Sequence, residues 1–188
     1  MRIISGIFKS RKINSPPVSK NDKGNEIRPT SDRARETLFD ILSNYIDFDG
    51  MNCLDLYAGT GALGFESLSR GAVHAAFVDK SLTSVKLVKK TSEDFDITPL
   101  ISVYKLDSIR FLNDIRSEYD IIFADPPYNY NMNEKLVKLV LEKSLSCFVF
   151  ETGSDIETEY NSDVYKKIKR RTGSAYFHIF LNKDILNL

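Results

Sequence analysis

The 188-residue chain predicts an α/β protein with a mostly parallel seven-stranded sheet, an antiparallel C-terminal edge and a small N-terminal extension. Three observations predict it. Short apolar runs alternate with helical stripes from Asn52 to about residue 151, the pattern of a parallel sheet covered on both faces. A glycine-rich turn joins the first of these runs to a helix. Two final apolar runs flank Thr172-Gly173-Ser174, the signature of a terminal hairpin.

The elements follow in chain order. Residues 1–30 form a hairpin extension. Arg2-Ile3-Ile4 and Lys12-Ile13 read as two small strands around Gly6, and Pro16-Pro17 and Asn21-Asp22-Lys23-Gly24 read as loop. The main domain spans 31–188. Thr30-Ser31-Asp32 offers N-caps for a helix over 32–46, where Ala34, Leu38, Ile41, Leu42 and Tyr45 make one stripe. Strands are expected at 52–58, 74–79, 101–105, 120–124, 147–151, 163–171 and 175–182. Helices are expected at 62–70, 81–92, 108–116 and 133–143.

Composition sets limits. Net charge is zero, with 26 basic and 26 acidic residues, which argues against a wholly basic nucleic-acid binder. The distribution is uneven: residues 1–40 carry a net +4, 41–159 a net −8 and 160–188 a net +4. Basic ends around an acidic centre read equally as ordinary solvated surface or as two termini that bind a polyanion around a centre of different chemistry. No run reaches the roughly 18 apolar residues of a membrane helix. The start has no apolar signal segment. Cys53 and Cys147 sit in apolar runs and read as buried thiols, with no metal site. A cytoplasmic monomer is the simplest expectation.

Ligands of such sheets sit at the carboxyl ends of the strands. Four of these ends carry an acid: Asp55, Asp79, Asp107 and Asp125. The run Gly59-x-Gly61-x-x-Gly64 matches a dinucleotide fingerprint, with Asp79 20 residues after Gly59. Alone this is weak. Asp55, inside the strand end, would repel a pyrophosphate but suits a cation. S-adenosylmethionine carries a sulfonium and an α-ammonium, so it fits better than NAD. Asp79 can accept from ribose hydroxyls in either case.

Asp125-Pro126-Pro127-Tyr128 is the most specific local chemistry. Two prolines remove two backbone donors and stiffen the loop, leaving acceptors. Tyr128 offers a face for a planar base. Such a site holds an –NH2 group beneath a clamped ring. Methylation of an exocyclic amine needs this, because the nitrogen lone pair is conjugated into the ring and positioning must supply much of the rate.

The chain resembles the RsmD-type family, bacterial methyltransferases acting on the exocyclic N2 of a guanine in small-subunit (16S) ribosomal RNA. The resemblance rests on Arg2-Ile3-Ile4-x-Gly6 and on Arg28-Pro29-Thr30-x-Asp32-Arg33-x-Arg35-Glu36-x-Leu38-Phe39. It continues through Leu54-Asp55-Leu56-Tyr57-Ala58-Gly59-Thr60-Gly61-Ala62-Leu63-Gly64, Leu68-Ser69-Arg70-Gly71-Ala72 and Asp125-Pro126-Pro127-Tyr128. The Arg-Pro-Thr segment is its most specific part. The family departs at Ser5 and Ser10, where members usually have glycine, and at Tyr57, often Phe.

The resemblance implies a Rossmann-like class I S-adenosylmethionine methyltransferase. The cofactor set is Asp55, Tyr57, Ala58, Gly59, Thr60, Gly61, Asp79, Lys80, Asp107 and Ser108. Asp79 would bind ribose and Asp107 the adenine amine. Asp125 and the Pro126 carbonyl would hold the target amine, with Pro127 stiffening the loop and Tyr128 stacking. The N-terminal segment would bind RNA through Arg2, Lys9, Arg11, Lys12, Arg28, Thr30, Arg33 and Arg35. The partner would be ribosomal RNA or the assembled small subunit, with the target guanine unpaired or flipped.

The second basic cluster, Lys166, Lys167, Lys169, Arg170 and Arg171, reads equally well as a solvated edge strand. His74 and His178 read as structural, and Glu151 as either a site-lining or a capping residue. Three other functions remain: a DNA-adenine or protein-glutamine methyltransferase, an NAD-dependent oxidoreductase, and a non-catalytic RNA-binding or ribosome assembly factor. The first lacks room for a target-recognition domain. The second lacks a substrate domain and is opposed by Asp55. The intact Asp125–Tyr128 loop opposes the third.

Overall fold

A computed structural model describes residues 1–16, 32–127 and 133–185. The elements are α1 (Asp32–Leu42), β1 (Asn52–Leu56), α2 (Ala62–Ser69), β2 (His74–Val78), α3 (Leu82–Phe95), β3 (Ile101–Tyr104), α4 (Ser108–Asp114), β4 (Tyr119–Ala124), α5 (Asn133–Leu141), β5 (Ser144–Thr152), β6 (Tyr165–Thr172) and β7 (Ala175–Asn182). One sheet runs β3-β2-β1-β4-β5-β7-β6. The first five strands are mutually parallel, and β7 is antiparallel to both its neighbours. The terminal hairpin thus enters with its second strand, β7, against β5, and β6 forms the outer edge.

Strand order reverses at β1 and β4, which puts the crevice for a ligand between their carboxyl ends. Side chains alternate across the sheet. Cys53, Phe77, Phe123 and Val149 pack under α1, α2 and α3, while Leu54, Val78, Ile122 and Phe148 pack under α4 and α5. Cys53 and Cys147 are buried free thiols. Among the described residues, no helix is long and apolar enough to cross a membrane.

Several expected boundaries move; β5, for one, begins at Ser144 and not at 147. α1 ends at Leu42, not 46: the Asn44 and Tyr45 N–H groups turn to the i−3 carbonyls of Ile41 and Leu42 (3.1 and 2.9 Å), and the Asn44 side-chain amide takes the Asp40 carbonyl (2.9 Å). The N-terminal hairpin keeps only one bridge, Arg2 to Lys12. Its backbone donors divide: Ile3, Ser10 and Ile13 N–H stay within the hairpin, on the Arg11, Ile3 and Met1 carbonyls (3.0, 2.9 and 3.2 Å), while Ile4 N–H and Ser5 N–H go to the Glu66 carboxylate (2.8 and 3.1 Å) and Phe8 N–H to the Ser69 hydroxyl (3.0 Å). Ile3 and Ile13 are buried in the core layer under α1 and α2. The first 16 residues therefore share the main core. The N-cap candidates Thr30 and Ser31, and the predicted loop 17–24, lie outside the described residues.

Candidate active site

The loop after β1 is shaped by backbone demands. Tyr57, Gly59 and Gly61 all have positive φ (58°, 55° and 77°). Tyr57 is the costly one, since only glycine visits that region freely. Gly64 serves packing: a Cβ there would lie 2.4 Å from Cε1 of Phe77. The close approach of α2 to β2 needs a residue with no side chain.

Asp79 ties this loop to the neighbouring one. One carboxylate oxygen accepts from Gly59 N–H (2.8 Å) and the other from Ser81 N–H (2.7 Å). It is half-buried, while Lys80 beside it is exposed. Asp107 caps α4, accepting from Ile109 N–H (3.0 Å) and Arg110 N–H (3.1 Å) through Oδ1, and Ser108 behind it is buried. Both acids thus hold backbone as well as facing the rim. The Asp107 cap uses Oδ1 and leaves Oδ2 outside it.

Asp55 is different. Only 3% exposed, its Oδ2 accepts from Gly64 N–H (3.0 Å). Burial, with Asp79 nearby, pushes its carboxyl up to about 8 against the relief of that hydrogen bond. A buried acid so poised will take either a proton or a cation. Asp125, half-buried at the end of β4, is also raised well above the usual carboxylate range, first by burial, then by Glu151 and Asp55. Alternation puts Asp55, Asp125 and Glu151 on the same sheet face.

Pro126 is buried and Pro127 exposed. With Glu151, Thr152, Gly153 and Ser154 they line a pocket of about 20 Å³. The far wall is fixed by Thr152, whose hydroxyl meets Nε2 of His178 (3.1 Å) and the Ser154 carbonyl (2.7 Å). Burial depresses His178 to about 4, so it stays neutral. Tyr128 lies outside the described residues. A wider opening of about 490 Å³, lined by Ser5, Gly6, Ser43–Phe48 and Arg70, lies at the opposite end of the sheet and holds none of the expected site residues.

The basic residues divide. Arg2, Lys9, Lys12 and Arg33 are exposed. Arg11 is exposed but engaged: its guanidinium lies 4.3 Å from the Phe95 ring centroid and donates to the Asp94 carbonyl. Arg35 corrects the expectation of a surface charge. It is fully buried, donating to the Arg2 carbonyl and the Asp32 carboxylate, and burial lowers it. Its job is to anchor the N-terminal segment on α1. Arg28 and Thr30 lie outside the described residues. On β6, Lys169 pairs with Asp155 (2.6 Å) and Lys167 lies over the Tyr160 and Phe180 rings, as an edge strand would use them.

Residue reading missed Glu66, which is fully buried, pairs with Arg70 (2.9 Å) and clamps residues 4 and 5. It underrated Glu151. The rule that picked out the four aspartates, an acid at a strand's carboxyl end, also picks out Glu151.

Comparison with known proteins gives the family. Residues 1–181 match the family described as conserved hypothetical protein 95. The Haemophilus influenzae protein named ribosomal RNA small subunit methyltransferase D is 36% identical over 191 residues, covering 97% of this chain and 94% of its own. The chain belongs to the RsmD family. The family's class I methyltransferase fold is also seen in the Escherichia coli yhhF structure, at a TM-score of 0.80 and 24% identity over 97% of both chains. A more distant protein solved with bound SAH shares the fold at a TM-score of 0.58 and 17% identity, covering 78% of this chain and 49% of that one. As a member of the RsmD family, the chain is a methyltransferase.

Proposed function

We propose that this RsmD-family chain transfers a methyl group from S-adenosylmethionine to the exocyclic N2 of a guanine in small-subunit ribosomal RNA. The observation that carries it is the Asp125-Pro126-Pro127 loop beside a buried, cation-seeking Asp55, across the strand-order reversal between β1 and β4. The relatives' names support ribosomal RNA as the substrate class.

The residues fit the cofactor. Asp55 would take the α-ammonium, which supplies the positive charge that its buried carboxyl lacks. The backbone of Tyr57 to Gly61 would pass close to the cofactor. Asp79, with Lys80 beside it, would meet ribose, and Asp107 and Ser108 the adenine. Bound there, the sulfonium supplies an electrophilic methyl. Asp125 and the Pro126 carbonyl accept hydrogen bonds from the target amine, which frees the nitrogen lone pair from the ring. The cofactor would supply the methyl and leave as S-adenosylhomocysteine, and the methylated amine would then have a proton to lose. Asp125, raised by burial, is a stronger base than an ordinary carboxylate and takes that proton. Tyr128 would stack on the base.

Arg2, Lys9, Lys12 and Arg33, with Arg28 and Thr30, would hold RNA phosphates, as a monomer acting on free RNA or on the small subunit. Asp125→Ala tests the reading. It should bind S-adenosylmethionine with near wild-type affinity in calorimetry, yet lose at least about 100-fold in methyl transfer to unmodified small-subunit RNA. Full transfer by that variant would falsify the role of Asp125.

A further inference from the structure

Glu151 is a charged side chain, 3% exposed, at the carboxyl end of β5. The transfer chemistry assigned to Asp125 makes no use of it. β4 and β5 are parallel neighbours, with Phe123 beside Val149 and Ala124 beside Phe150. One residue further on, Asp125 and Glu151 leave their strands side by side on the same face. Glu151 lines the pocket that Pro126 and Pro127 close. Its charge is the second cause, after burial, of the raised Asp125 carboxyl, so the two groups lie close together.

Once ionised, two neighbouring carboxylates beside a stiff carbonyl present acceptors to a base edge, and paired N–H donors on that edge favour their ionised form. Base edges differ in what stands next to the exocyclic amine. Guanine presents N1–H beside its N2 amine, two adjacent donors. Adenine and cytosine present a bare ring nitrogen, an acceptor, beside theirs. These paired acceptors match guanine's two donors and set lone pair against lone pair for the other two. Buried polar groups left facing the wrong partner are the strongest source of such discrimination.

We propose that Glu151 is a specificity-determining residue: its carboxylate accepts the N1–H of the target guanine beside the amine held by Asp125. This rests on the guanine-N2 reading above. Glu151 thereby selects the base, and Asp125 handles the amine that reacts.

The test replaces the target guanine by 2-aminopurine, which keeps the 2-amino group but has a bare N1. The modified position is first mapped with the wild-type protein on small-subunit RNA. Wild type should methylate guanine at least about 30-fold faster than 2-aminopurine, the range expected when a site's polar group loses its partner. Glu151→Gln keeps the side chain's shape but adds an amide donor. It should methylate guanine about 10-fold or more slowly than wild type and 2-aminopurine faster than wild type does, while S-adenosylmethionine affinity is unchanged. Equal wild-type rates on the two bases overturn the proposal even where the variant fails to fold. So does a folded variant that keeps the wild-type preference. Failure of the underlying reading looks different: wild type then transfers no methyl to guanine N2 in any RNA.

Discussion

At the scale of single residues, burial turns ordinary acids into responsive ones. Asp55 stands near 3.8 when unfolded and about 8 when folded. A raised folded value stabilises the fold fully below the unfolded value, and that stability is lost as pH rises through the folded one. By pH 7 the cofactor-free protein therefore carries a cost of at most roughly 4 kcal/mol at this residue. Asp55→Asn should remove it. In urea titrations between about pH 5 and 8, the variant's midpoint should stay flat where the wild type's falls. Identical slopes would show that Asp55 does not titrate in that window. An ammonium on Asp55 would bring its carboxyl back down, so cofactor binding near neutral pH should release a proton. Calorimetry in buffers of differing ionisation enthalpy reads this directly.

Some local geometry was legible without coordinates. A glycine turn and an Asp-Pro-Pro loop announce their backbone shape locally, through φ restriction and missing donors. Arg35 was not legible. Its neighbours Arg33 and Glu36 are exposed, and only the docking of residues 1–3 over α1 buries it. Ser10 belongs with it. It holds a φ of 70°, a left-handed conformation that favours glycine, so the chain tolerates strain at a turn where its sequence shows only a serine.

At the scale of elements, the repeated strand–helix pattern placed all seven strands and five helices, because each has its own apolar period. Ends were less certain where side chains compete for backbone, as Ser43 and Asn44 do at the end of α1. The α2–β2 contact gives a direct test. Gly64→Ala puts a methyl 2.4 Å from the buried Phe77 ring, which itself stacks against Phe65 at 4.9 Å. Overpacking of about 1–3 kcal/mol should outweigh the ~1 kcal/mol gained in helix propensity. A lower urea midpoint at unchanged slope is expected. An unchanged or raised midpoint would show that Phe77 can move aside. Glu66 shows the same dependence on packing. It looks like a helix-surface acid in sequence, yet it accepts two backbone N–H groups from a segment more than 60 residues away.

At the scale of the whole molecule, zero net charge conceals two requirements. The acidic centre holds the buried Asp55 and Glu151 carboxyls. The exposed cations Arg2, Lys9, Lys12 and Arg33 decorate the N-terminal segment and the start of α1. Charge reversal at Lys9, Lys12 and Arg33 together should weaken RNA binding and flatten its logarithmic salt dependence by about 2, at roughly 0.7 per lost phosphate contact on single strands. S-adenosylmethionine affinity should not change. Binding isotherms at several salt concentrations check this, and an unaltered slope would place the RNA on another face.

The amino-acid sequence by itself determined the element order, the two-sided core, the glycine turn and the stiff Asp-Pro-Pro loop. Each depends on periodicity or on the local stereochemistry of glycine and proline. The tertiary structure alone decided that β7 enters beside β5 and leaves β6 at the edge. It also decided that Glu66 and Arg35 bind the N-terminal segment to the core, and that Glu151 stands beside Asp125. These are contacts between residues far apart in the chain. Burial and charge there are properties of the assembled fold, and local sequence does not encode them.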